Sequence, residues 1–162
     1  MRRCHQGGRQ DHSYCDRGQL LVECLEVDIE NPLFPLKGDN LIYEAHMYPD
    51  ADASGQFLWR DEPIDPTVGI RRLKPFFDWL KANNPQGIVG ETGCPHDKPF
   101  ALAAQANAVE YARQNGVRIF YWSAGLWWPE GNETAIEVGG KIRAQWPAIN
   151  SAAGQLMKDG PG

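Results

Sequence analysis

No apolar run in this 162-residue chain approaches the roughly 20 residues that a membrane-spanning helix needs. Basic charge is not in excess either. Sixteen Lys and Arg stand against 21 Asp and Glu, for a formal charge of −5. That balance argues against nucleic acid or an anionic membrane surface as the partner. An uncharged polymer such as a polysaccharide is compatible with it, although charge alone does not select one. Cysteine is sparse: Cys4, Cys15, Cys24 and Cys94 have no regular spacing, so no disulfide connectivity can be read and the redox compartment stays open. Cys4, His5, His12 and Cys15 match no standard zinc spacing, and neither a metal nor a cofactor is expected. The N-terminal residues are basic with no apolar stretch behind them, so they do not form a secretion signal. Repeats, heptads and low-complexity tracts are absent.

What is present is ordinary in bulk. Apolar residues make up 42% and charged residues 23%, enough for one domain with a real core. Residues 1–18 are polar, rich in Gly and Arg and aperiodic, which reads as a flexible or divergent arm ahead of a domain over 19–162. Leu20–Ile29 and Leu41–Tyr48 are candidate strands. Asp65-Pro66 has the form of a helix start, and Pro75 should break or kink the helix that follows toward Asn84. Gly87–Glu91 reads as a strand and Phe100–Asn115 as an Ala-rich helix closed by Gly116. Val117–Trp122 reads as another strand and Glu137–Trp146 as a helix ending before Pro147. Strands alternating with helices imply right-handed crossovers and a parallel sheet. Four such units amount to half of an eight-stranded barrel, and a complete barrel takes about 250 residues.

In parallel α/β architectures the functional groups gather at the C-terminal ends of the strands. Those ends carry His46 and Tyr48, then Glu91, then Trp122. Period-two alternation puts Glu44, His46 and Tyr48 on one side of their strand, with Leu41, Tyr43, Ala45 and Met47 on the other. The second set suits covering helices; the first would face the barrel axis, where polar side chains must find partners. Glu44 is read as a buried hydrogen-bonding residue, and Asp50 and Asp52 as shaping the loop before Ser54-Gly55. Six Trp is a high count, and Trp122, Trp127 and Trp128 fall close together, which suggests a core or an aromatic platform. Trp127 and Trp128 point opposite ways, so one of the two should pack.

The segments Asn40-Leu-Ile-Tyr-Glu-Ala-His-Met-Tyr48, Asp50-Ala-Asp-Ala-Ser-Gly55, Gly90-Glu91-Thr92-Gly93, Asn115-Gly116 and Tyr121-Trp-Ser-Ala-Gly-Leu-Trp-Trp128 occur in an informative order and spacing. Together they resemble glycoside hydrolase family 5, the endoglucanase-type cellulases, over about residues 33–130. The resemblance implies a partial (β/α)8 barrel, roughly strands five to eight with their helices. It implies retaining hydrolysis of β-1,4-glucan with Glu91 as nucleophile, His46 and Tyr48 as its strand-six companions, and Trp122 beneath the sugar at the cleavage point. Trp127 would extend that platform and Ser54 would contact substrate. Secretion from the cell is also implied by the family. The family's acid/base lies in an Asn-Glu-Pro motif on strand four, which this sequence does not contain; Glu30-Asn31-Pro32 has another order and is no substitute. The alternatives are a non-catalytic glucan-binding fragment and a truncated half-barrel that acts as an assembly partner. A half-barrel leaves open edges, so a homo-oligomer that closes it is expected.

Overall fold

The computed structural model describes residues 13–14, 20–23, 38, 40–57, 63–147 and 149–150. The part of the expected strand Leu20–Ile29 beyond Glu23, and Cys4, His5, His12 and Cys15, lie outside them. Strands β1 (Ser13–Tyr14), β2 (Leu20–Glu23), β3 (Ile42–Met47), β4 (Gln86–Thr92) and β5 (Arg118–Tyr121) form one sheet in chain order. The pairs β2–β3, β3–β4 and β4–β5 are parallel, and β1 runs antiparallel to β2. Helix α1 (Val68–Asn83) crosses between β3 and β4, and α2 (Pro99–Gln114) between β4 and β5.

One face of the sheet is covered. Tyr43, Ala45 and Met47 of β3 and Val89 of β4 pack beneath Leu73, Phe76, Phe77, Trp79 and Leu80 of α1, and Ala108 and Ala112 of α2 join them. Each large apolar side chain buried in this way contributes about 1.5–3 kcal/mol relative to exposure. Along α2 the buried positions Ala101, Ala104, Ala108 and Ala112 recur at helical spacing, so its inner face is shallow. Gly69 of α1 exploits that shallowness: a Cβ there would stand 2.8 Å from Ala108 Cβ. The opposite face of β3 carries Ile42, Glu44 and His46, half-buried, as the alternation required.

Three local expectations are corrected. The first helix begins at Val68 rather than at Asp65-Pro66. The Asp65 carboxylate instead accepts the Thr67 N–H at 2.8 Å and its hydroxyl at 2.9 Å, a turn that leads into the helix. Pro75 does not break α1, which runs through it. The bond it cannot make would go to the Arg71 carbonyl, and both residues are exposed, so water can serve that oxygen. The segment expected as a helix over Glu137–Trp146 opens instead with a hairpin, β6 (Glu137–Val138) and β7 (Lys141–Ile142). Gly139 (φ 57°) and Gly140 (φ 74°) supply the two positive φ angles that a tight two-residue turn needs. Within it, among the described residues, only 145 and 146 are helical, and the helical residues continue past it at 147 and 149–150.

Candidate active site

A single irregularity aims the site. In the β3–β4 register Ala45 faces Val89, but His46 faces Glu91, so Gly90 is an extra residue on β4. Without it, strict alternation would put Glu91 on the same face as Val89, under the helices. The bulge changes the phase, so that Glu91 joins His46 and Glu44 on the open face while Thr92 takes the buried face beside Met47. There the Thr92 hydroxyl lies 3.1 Å from Gln105 Oε1 of α2.

The Tyr48 hydroxyl donates a hydrogen bond to Glu91 Oε1. His46 Nδ1 lies 3.7 Å from Glu91 Oε2, and His46 Nε2 lies 3.3 Å from Glu44 Oε1. Burial, and then the bond to the Glu91 carboxylate, push the Tyr48 phenol well above the ordinary tyrosine range. Tyr48 therefore stays protonated, a donor to Glu91 at any ordinary pH.

Tyr48 is held by the loop that follows β3. The buried Asp50 carboxylate accepts the N–H groups of Gly55 and Phe57, each at 3.2 Å, and the Ser54 hydroxyl at 3.1 Å. Arg72 of α1 donates to the carbonyls of Tyr48 and Ala51. The loop so fixed presses Gly55 against the Tyr48 ring, where a Cβ would come within 2.8 Å of it, and sets Phe57 edge-on at 6.3 Å. Asp50 thus shapes the loop, and the Ser54 hydroxyl, expected from the sequence to contact substrate, is bonded inside it to Asp50 and to the Gln56 N–H.

Trp122 follows β5, one strand over. Its N–H donates to the Thr92 carbonyl at 2.6 Å, and its own carbonyl lies where a Cβ on Gly93 would stand, 2.2 Å away. Glycine at 93 is what lets the two strand ends close up. The Trp122 side chain is 45% exposed and meets Trp128 edge to face at 5.2 Å. Trp128 also donates from Nε1 to the Ala124 carbonyl, whereas Trp127 is 90% exposed. The adjacent indoles do divide between packing and exposure. Behind the site, Tyr121 and Gln145 both bond the Cys94 carbonyl, at 3.2 Å each. Burial pushes the Cys94 thiol up to about 12, which keeps it an inert core group.

Among the described residues no helix packs on the face holding Glu91, whose side chain keeps 19% exposure. A cavity of about 150 Å³ lies instead behind the Asp50 loop, among Pro49, Phe57, Val68, Arg71 and Lys98. Among the described residues no cluster of His, Cys, Asp and Glu is placed to hold a metal ion. The bulge is the feature that strand alternation missed. Its signal was present, since a glycine inside a strand pattern marks either a bulge or a close backbone approach.

The fold is a partial α/β barrel that brings a carboxylate, an imidazole and a phenol together at adjoining strand ends, with an exposed indole beside them. The model of the cellulase family, glycosyl hydrolase family 5, matches residues 19–128, and the chain belongs to that family. The match begins earlier than the motifs alone had suggested and takes in β2. A probable endo-β-1,4-glucanase B from Neosartorya fischeri is 33% identical over 108 residues, covering 65% of this chain and 30% of the relative. The endoglucanase Cel5A of Pseudomonas stutzeri, solved in complex with cellobiose, is 39% identical with a TM-score of 0.66, over 70% of this chain and 35% of that one. XacCel5A in complex with cellopentaose is 27% identical with a TM-score of 0.61, over 70% of this chain and 37% of that one. The chain thus spans between 30% and 37% of the length of these relatives, and its architecture is that of half a (β/α)8 barrel.

Proposed function

We propose that this chain carries the nucleophile half of a retaining β-1,4-glucanase site, with Glu91 as the attacking carboxylate. The observation that carries the reading is the Glu91 carboxylate itself, held by the Tyr48 hydroxyl beside His46 on the open face of the sheet. A Glu91 oxygen would bond to the anomeric carbon as the bond from that carbon to the leaving oxygen breaks. The leaving group departs with the electron pair, and water then hydrolyses the glycosyl ester. Tyr48 and His46 orient the carboxylate and oppose its rotation. Trp122 offers an exposed indole face to the apolar face of a glucose ring, Trp127 extends it to a neighbouring unit, and Ser54 contributes at the rim through the Asp50 loop. The enzyme would act outside the cell, because an insoluble polymer has to be cut where it lies.

Retaining hydrolysis of a natural glucan also needs a second carboxyl roughly 5–5.5 Å from the first, to protonate the leaving sugar. The sequence has no Asn-Glu-Pro segment to supply it. An aryl cellobioside with a stable phenolate leaving group bypasses that need and isolates the step assigned to Glu91. With 2,4-dinitrophenyl β-cellobioside the chain should release a burst of dinitrophenolate, about one equivalent per protein, and Glu91→Gln should slow the burst by at least about 10⁴-fold. Cello-oligosaccharide binding with no burst would favour the glucan-binding reading instead.

A further inference from the structure

Beside the Tyr48–Glu91 pair, the same face carries a second carboxylate that the reaction above does not use. Glu44 is half-buried and turns its Oε1 to 3.3 Å from His46 Nε2, while the other ring nitrogen, Nδ1, lies 3.7 Å from Glu91 Oε2. The Glu44 side chain reaches across β4 at the bulge. A Cβ on Gly90 would stand 1.3 Å from Glu44 Oε1, 2.3 Å from its Cδ and 2.7 Å from its Cγ. Only glycine at 90 leaves that space. The residue whose insertion turns Glu91 toward the open face therefore also makes room for Glu44.

We propose that Glu44 is a positioning residue for the nucleophile: it accepts the Nε2–H of a doubly protonated His46 and so fixes the imidazole plane with the Nδ1–H turned toward the Glu91 carboxylate. The proposal rests on the reading of Glu91 as nucleophile. The torsion that rotates a histidine ring has a broad, roughly two-fold profile, so the ring needs an outside partner to choose its orientation. A carboxylate behind a working histidine is a common device for doing so. With Glu44 gone, His46 can turn away, and Glu91 loses one of the two groups that hold its carboxylate in the attacking orientation.

The test measures the dinitrophenolate burst against substrate concentration in five proteins: unsubstituted, Glu44→Ala, Glu44→Gln, Gly90→Ala and the double variant Glu44→Ala/Gly90→Ala. Glu44→Ala should lower the limiting burst rate roughly 10–100-fold, the range typical when outer groups that orient a working histidine are removed. The half-saturating concentration should stay within about twofold, because an interaction made only in the reaction step does not alter substrate binding. Glu44→Gln keeps an acceptor oxygen and should recover most of the rate. Gly90→Ala should reproduce the Glu44→Ala defect by evicting the carboxylate, and should add little once Glu44 is already alanine. An undiminished burst in Glu44→Ala would overturn the proposal. So would a change confined to the half-saturating concentration, or a Gly90→Ala loss undiminished in the double variant. If the unsubstituted chain gives no burst, the functional reading has failed, and the His46 ring nitrogens judge Glu44 independently. Their ¹⁵N resonances should move in Glu44→Ala and much less in Glu44→Gln, and identical spectra in all three proteins would refute the contact.

Discussion

At the scale of single residues, the site depends on a tyrosine kept neutral. Tyr48 donates to Glu91 and is packed between Gly55 and Phe57, so Tyr48→Phe should preserve the packing and remove only the donor. A hydrogen bond to a charged group contributes about 1.5–3 kcal/mol, so its loss should slow the dinitrophenolate burst by roughly 10–150-fold. Stopped-flow absorbance would show it. The same group makes stability depend on alkaline pH. The folded Tyr48 phenol is raised by burial and by Glu91, so the folded chain keeps a proton that the unfolded chain releases above about pH 10. The stability tied to that proton is therefore intact below pH 10 and falls as pH rises beyond it. Urea melts between pH 8 and pH 11 should show the decline, with a smaller one in Tyr48→Phe.

At the scale of elements, the helical layer is spaced by its smallest residues. Gly69 meets Ala108 and the Ala104 carbonyl, so Gly69→Val has no room and should cost about 1–3 kcal/mol of stability by overpacking. Gly131, with nothing within 4 Å of its would-be Cβ, is the contrast: Gly131→Ala should be neutral or slightly stabilising. Denaturant midpoints of the two variants separate the cases. Strands β3, β4 and β5 and helix α2 were legible in the sequence because their apolar residues repeat at the right periods and glycine or proline stands near their ends, whereas β1 lies in a segment read as an aperiodic arm. The polar face of β3 was legible for the same reason, since Tyr43, Ala45 and Met47 demanded a covered side. What alternation could not give was the phase of Glu91, because one inserted residue at Gly90 inverts it. The hairpin over 137–142 escaped for a related reason. Its strands are two residues each, too short for any period to show, and only the Gly139-Gly140 pair marks them. Pro75 misled because a missing hydrogen bond matters far less on the wet side of a helix than on its buried side.

At the scale of the whole molecule, a half-barrel presents edges. Among the described residues β5 pairs only with β4, which leaves its other flank open, and the exposed Phe120 lies along that strand. Unpaired strand edges template association, and two copies related by a two-fold axis would cover them. Light scattering across a concentration series should therefore report a mass above 18.1 kDa, and a clean monomer at high micromolar concentration would contradict the closure. Association does not decide chemistry, however; the covalent bond at Glu91 does. A 2-deoxy-2-fluoro cellobioside with a dinitrophenolate leaving group forms the glycosyl ester and slows its hydrolysis, because the fluorine disfavours the cationic transition state of both steps. Intact-mass and peptide mass spectrometry of the treated chain should find one fluorocellobiosyl group, on the peptide containing Glu91, and none in Glu91→Gln. A label on any other residue, or an equal label in Glu91→Gln, would contradict the assignment of the nucleophile.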